Sequence, residues 1–366
     1  DFKIPRTTEG ITIRGDYQTK ESMTLKKTHR LLSALALIPA AALALSACSS
    51  PAAEPDSSSA PTNDASGSGE VRTVKVAAVG IMSDVVLQIA DEQGFLEEEN
   101  LAIEITTVAN PPAGVAALQG GQVDFAFAPG VVFANARSQG VPVQIVAGAS
   151  GFPEGVEPGP ELDLYDDTGV YVRPDSGITS LEQLEGKSIA VNARKANLEA
   201  TASQALLDAG VDPASINWVA LDFTSMVESL KNGDVDAAIP VNPFTLKAEE
   251  AGMVRIASPA AAFFGVGPSS FWLTSETLAN EDPELVAAFK RAILQANAYA
   301  NDHLDESIAA GVALAGLDIP VEKAGKIYWP TEQVTQDHVD HIVGNLISIG
   351  FLPEGTKLEN AIVQLG

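Results

Sequence analysis

From Val71 onward the chain alternates short apolar runs with stretches of helical periodicity. The spacing predicts strands over 74–79, 103–108, 125–128 and 143–147. Helices are expected between them: one after Ser83 that runs to Glu92 and stops at Gly94, one from the turn at 110–114 to Gln119, and one from Pro129-Gly130 to Ser138. The order then recurs. Strands are expected over 188–191, 217–221, 237–240 and 254–256, with helices opening near Asn197, at Ser225 and at Pro243. Strands that alternate with helices imply a mostly parallel sheet covered on both faces.

The two halves align. Leu118, Gly121, Val123, Asp124 and Ala126 match Leu230, Gly233, Val235, Asp236 and Ala238 at one constant offset. In each half a helix ends at glycine, a Val-Asp pair follows and an apolar strand begins. Asp124 and Asp236 are therefore expected to stabilise the turn into a strand. Beyond Pro283 the pattern is helical over 283–303, 304–314, 320–327 and 331–349, and these helices are expected to pack back on the first lobe.

The amino-terminal segment departs from this pattern. Lys26, Lys27, His29 and Arg30 precede an apolar run over 31–45 that Pro39 interrupts, too short to span a bilayer. The run ends Leu45-Ser46-Ala47-Cys48, which resembles the lipobox of bacterial lipoproteins; Cys48 is then the lipidated residue. Residues 23–47 are expected to be a lipoprotein signal peptide, and residues 1–22 extraneous. Residues 48–70 hold no large apolar side chain and form a flexible tether.

Composition narrows the function. The 366 residues hold 22 Lys+Arg against 48 Asp+Glu, a net charge of −26. From Cys48 onward 15 basic and 44 acidic residues remain. So acidic a chain is a poor ligand for nucleic acid or anionic lipid. One cysteine excludes a disulfide framework and a multi-cysteine zinc site, and four histidines form no His-Glu-x-x-His pair. No metal or cofactor is implied. No Ser-His-Asp or Cys-His order and no glycine-rich nucleotide loop is present, so no enzymatic activity is expected.

Several segments together resemble the extracellular solute-binding proteins of ABC importers, in the branch for nitrate, sulfonates, taurine and thiamine-precursor pyrimidines. They are Gly94-Phe95-Leu96-Glu97, the run from Leu118 to Asp124, the run from Gly177 to Lys187, Leu207 to Val211, and Gly233 to Ala238 followed by Val241-Asn242-Pro243-Phe244. The resemblance implies an α/β, two-lobed periplasmic-binding-protein-like (type II) fold with a hinge and an inter-lobe ligand cleft. Lobe 1 is expected to comprise residues 71–178 and 262–366, and lobe 2 residues 179–261. The implied partners are a small-molecule solute and the permease and ATPase subunits of an importer, with the receptor a lipid-anchored monomer. A receptor for a neutral pyrimidine, or a ligand-sensing lipoprotein that signals to a membrane partner, remain alternatives.

Ligands of open α/β sheets bind beyond the carboxyl ends of the strands. That rule selects Met82 and Ser83, Asn110 and Pro111, Pro129, Asn192, Arg194 and Lys195, Phe223, and Asn242 and Phe244. Helices opening at Ser83, Pro129 and Asn197 would offer free N–H groups, which favours an anionic or carbonyl-bearing solute. Arg194 either grips a carboxylate, sulfonate or nitrate or sits in a solvated turn. Phe223 and Phe244 either stack an aromatic ligand or pack the core.

Overall fold

The computed structural model describes residues 70–156, 159–321 and 326–365. The expected signal, lipidation and tether segments, Cys48 included, lie outside these, apart from Glu70.

Two five-stranded sheets share one topology. The first contains β1 (Arg72–Ala78), β2 (Leu101–Thr107), β3 (Phe125–Pro129), β4 (Val143–Phe152) and a late strand, β10 (Gly267–Ser275), in the order β2-β1-β3-β10-β4. The second contains β5 (Val170–Val172), β6 (Ser188–Val191), β7 (Asn217–Ala220), β8 (Ala237–Ala238) and β9 (Val254–Ala257), in the order β7-β6-β8-β5-β9. β1 runs parallel to β2 and β3, and β6 runs parallel to β7 and β8. One strand in each sheet is antiparallel to both neighbours: β10 between β3 and β4, and β5 between β8 and β9.

β5 and β10 are the strands with which the chain enters the second sheet and returns to the first. The strand–helix alternation does not predict them, because neither belongs to a βα unit. They add one antiparallel strand to each sheet, in which the other four strands run the same way, as expected. They also correct the first lobe boundary: residues 170–172 pair only within the second sheet, so the chain has left lobe 1 before residue 178.

Helices cover the sheets. In the first half these are α1 (Val85–Glu92), α2 (Phe95–Glu98), α3 (Pro111–Gln119) and α4 (Gly130–Ser138). In the second they are α5 (Asn197–Asp208), α6 (Phe223–Asn232) and α7 (Phe244–Glu250), with α8 (Pro259–Phe264) on the return crossing. α9 (Glu276–Glu281), α10 (Pro283–Asp302), α11 (Leu304–Leu314) and α12 (Gln336–Ser348) follow. α10 packs on α1, and Phe289 stacks on Phe125 of the first sheet with ring centroids 3.8 Å apart. α12 packs on α4 and α8. The helix expected over 320–327 is absent at Lys326 and Ile327, while 322–325 lie outside the described residues. The last helix begins at Gln336 rather than near Thr331, because Thr335 caps it through His338 N.

The repeat has a physical cause. Asp124 Oδ2 accepts from Lys75 N at 2.8 Å, and Asp124 N donates to Lys75 O at 2.8 Å. Asp236 Oδ2 accepts from Ser188 N at 2.8 Å, and Asp236 N donates to Ser188 O at 3.0 Å. Each aspartate ties the turn before its strand to the neighbouring parallel strand, at Lys75 in the middle of β1 and at Ser188 at the start of β6. Gly233 ends α6 at φ 82°, a left-handed conformation that a side chain would strain.

Candidate functional site

The carboxyl ends of the parallel strands from both sheets converge on one cleft of about 580 Å³, a volume that includes its open mouth. The space is a slot of a size suited to a small solute. The turn after β1 (Val79, Ile81, Ser83), the end of β3, and Ser150 of β4 with Ser269 and Ser270 of β10 form one wall. Asp167 and Thr168 of the first crossing, Asn192, Asn197, Phe223 and Val241 form the other. Ala260 and Phe264 of α8 close one end.

Ser83, Pro111, Pro129, Asn192 and Phe223 of the sequence-selected residues line this cleft. Ser83 does not cap α1. Asp84 holds the turn instead, accepting from Val79 N, Gly80 N and Ile81 N at 2.8, 2.7 and 3.2 Å. Burial raises the Asp84 carboxyl to about 6 despite these donors. Ser83 is 1% exposed, and its Oγ has no hydrogen-bond partner among the described residues. Asn192 Oδ1 is likewise buried without one. Asn197 is no cap either. It occupies the first position of α5, and its buried Oδ1 has no partner among the described residues.

The remaining expectations resolve differently. Asn110 caps α3 through Ala113 N at 3.1 Å and lies outside the lining. Met82 is buried, and its N–H donates across the lobes to Asn242 O at 3.3 Å. Asn242 Oδ1 accepts from Thr245 Oγ1, and Phe244 stacks behind Phe223 at 5.2 Å, so neither is a lining residue.

The anion-anchor expectation for Arg194 and Lys195 does not fit this geometry. Arg194 Nε donates to Glu199 Oε2 at 2.8 Å, and Lys195 N donates to the same oxygen at 2.7 Å. The Glu199 side chain is 2% exposed, so the pair compensates a buried carboxylate. Lys195 Nζ lies 4.3 Å from the Phe351 ring centroid, on the outer side of the α4–α5 contact, and neither residue lines the cleft.

Sequence reasoning missed Asp167, Thr168, Asn197, Ser150, Ser269 and Ser270. Five of these sit on or beside β5, β10 and the long end of β4, elements that the periodicity did not extend to the cleft. Sequence alone marks Asn197 as a helix opening, not as a side chain that lines the cleft. Asp167 is the only ionisable residue in the lining among the described residues. Desolvation and the neighbouring charge of Asp166 push its carboxyl up to about 7, against the opposing pull of Arg255. Asp166 itself is fully engaged: it accepts from Thr168 N and Oγ1 at 2.9 and 2.7 Å and from Ala260 N and Ala261 N at 2.8 and 3.2 Å. Among the described residues no group of three or more His, Cys, Asp or Glu is placed to hold a metal ion.

The family model described as NMT1/THI5 like matches residues 85–153 and 165–307. A putative binding protein of Brucella abortus is 26% identical over 243 residues, 63% of this chain and 68% of its own. The taurine-binding periplasmic protein of Escherichia coli K12 is 25% identical over 256 residues, 66% of this chain and 74% of its own. Among solved structures, the alkanesulfonate-binding protein SsuA of Xanthomonas axonopodis bound to MOPS superposes with a TM-score of 0.65 at 16% identity, over 81% of this chain and 99% of that one. The nitrate-binding protein NrtA of Synechocystis gives 0.62 at 14% identity, over 78% and 84%. These likenesses show the periplasmic-binding-protein fold. The desulfurization enzyme DSZB shares it, with a TM-score of 0.58 at 15% identity over 80% and 96%, so the fold alone does not separate receptor from enzyme.

Proposed function

Since the chain belongs to the NMT1/THI5-like family, we propose that it is an exported receptor that binds a small organic solute between its lobes and delivers it to an ABC importer. The observation that carries this reading is the inter-lobe slot, with Ser83, Asn192 and Asn197 presenting buried polar atoms that nothing in the described protein satisfies. Buried polar groups without partners are costly, and a ligand that supplies those partners recovers the loss. The binding proteins for taurine, alkanesulfonate and nitrate named above support the transport reading.

The solute leaves chemically unchanged. Thermal denaturation against a panel of small solutes tests this. A ligand at 100 times its dissociation constant stabilises by about 2.7 kcal/mol, and mass analysis of the released solute should return the compound that was added. Conversion to a new product would overturn the receptor reading in favour of an enzyme.

Attachment to the membrane rests on the sequence around Cys48. Cys48→Ala is expected to release the protein or leave it unprocessed, and an unmodified Cys48 in membrane-bound protein would contradict the anchor. The alternative of a sensor that signals to a membrane partner draws no support from the comparisons.

A further inference from the structure

Building on the receptor reading, we propose that the solute is recognised through a cationic nitrogen group, such as an amidinium or primary ammonium, held against Asp167, and that anions are disfavoured in the cleft. The charge census of the slot carries this. Asp167 is its one ionisable lining residue among the described residues, and no other described residue donates a hydrogen bond to its carboxylate. Asp166, beside it, already has four donors.

The basic groups near the slot are turned to other work. Arg194 and Lys195 serve Glu199. Arg255 donates to the backbone carbonyls of Asp166 and Thr168 and is not a lining residue.

Three of the helix starts around the slot are closed to an anion. α3 opens with Pro111-Pro112, which lack N–H groups, and Asn110 takes the next donor. α6 is capped by Asp222, and the N–H groups of Ala260 and Ala261 in α8 bond to Asp166. α4, behind Pro129, and α5, behind Ala196, start without a side-chain cap, and the Glu199 carboxylate in the first turn of α5 is held by Arg194 and Lys195. An anion placed here would meet Asp167 with no cation in the described lining to offset it. A cationic nitrogen meets a counter-charge, acceptors in Ser83 Oγ and the two asparagine side chains, and the aromatic face of Phe223 backed by Phe244.

Titration supports the same assignment. Burial and the charge of Asp166 on its own segment push the Asp167 carboxyl up to about 7, against the pull of Arg255 from β9, the other charged group facing it. The lining residues from α5, α6, α8, β3, β4 and β10 are uncharged. A permanently cationic ligand draws the proton off Asp167, so its binding strengthens as pH rises through 7.

Four probes that share one ring separate charge from shape: benzamidine, benzamide, benzoate and benzenesulfonate, titrated into the whole chain by nuclear magnetic resonance and thermal shift. Benzamidine is expected to bind at least tenfold tighter than either anion, and about tenfold tighter at pH 8 than at pH 6. Asp167→Asn should remove most of its advantage over benzamide and flatten the pH response. Benzoate or benzenesulfonate binding tightest to the wild-type chain would overturn the inference and leave the receptor reading standing. Response to none of the four would count against both. The wild-type series stands on its own if the variant folds poorly.

Discussion

At the scale of single residues, Arg194 shows how context reassigns a side chain. Its place in a loop after β6 and just before α5 matches an anion anchor, yet its guanidinium compensates Glu199, a buried carboxylate at the third position of α5. Arg194→Ala is therefore expected to lower stability by about 1–2 kcal/mol in urea titrations, because Glu199 loses its main counter-charge. It should leave solute affinity within about threefold of wild type; a loss of tenfold or more at unchanged stability would restore the anchor role. Sequence placed Arg194 in the right loop, but position does not reveal which carboxylate a guanidinium will meet. The same holds for Asn110 and Asn197, alike as helix-opening asparagines. Asn110 caps its helix, while Asn197 comes one residue too late to cap and lines the slot.

Asp84 makes a second residue-level prediction. Its folded pKa, about 6, lies above the unfolded value of 3.8, so the folded chain holds that proton longer. Stability therefore falls as pH rises from about 4 to about 7, and the raised carboxyls of Asp166 and Asp167 act in the same direction. Asp84→Asn keeps an oxygen to accept from Val79, Gly80 and Ile81 but cannot ionise. Urea midpoints at pH 5 and pH 8 should differ less for the variant than for wild type. Equal differences would contradict the assignment.

At the scale of elements, β4 and β10 build part of one wall of the slot. They bring Ser150 opposite Ser270 and run so close at Gly151 that an added Cβ would lie 2.4 Å from Gly267 O and 2.8 Å from Pro268 Cα. Those are backbone atoms, and the strands would have to part. Gly151→Ala is expected to cost about 1–3 kcal/mol and to weaken solute binding through displaced Ser150, Ser269 and Ser270. Melting temperature and affinity should fall together; an unchanged melting temperature would rule out the close approach. The βα units were legible because each strand, turn and helix repeats a local signature, down to the paired roles of Asp124 and Asp236. β5 and β10 were not, since an antiparallel strand entered from a long crossing has no helix to announce it. The missed slot residues are concentrated on those elements and on the crossing that leads to β5.

At the scale of the whole molecule, two sheets of identical order face one another across a slot, joined by two crossings and by contacts such as Met82 N to Asn242 O and Asn135 Nδ2 to Lys195 O at 2.8 Å. Such an arrangement supports closure over a solute by bending at the crossings. The bipartite α/β body could be read from the repeat alone. Ligand charge could not, because it depends on which of many carboxylates and cations neutralise one another in three dimensions.

The central claim is that one small solute lies unchanged between the lobes. The most direct measurement is native mass spectrometry of the full chain isolated gently from its own host, beside a variant carrying Asn192→Ala and Asn197→Ala. The account predicts one non-covalent small molecule per wild-type chain, released intact on activation, and an adduct lost or much reduced in the variant. A wild-type chain that carries no small molecule, or a variant that retains it in full, would contradict the account.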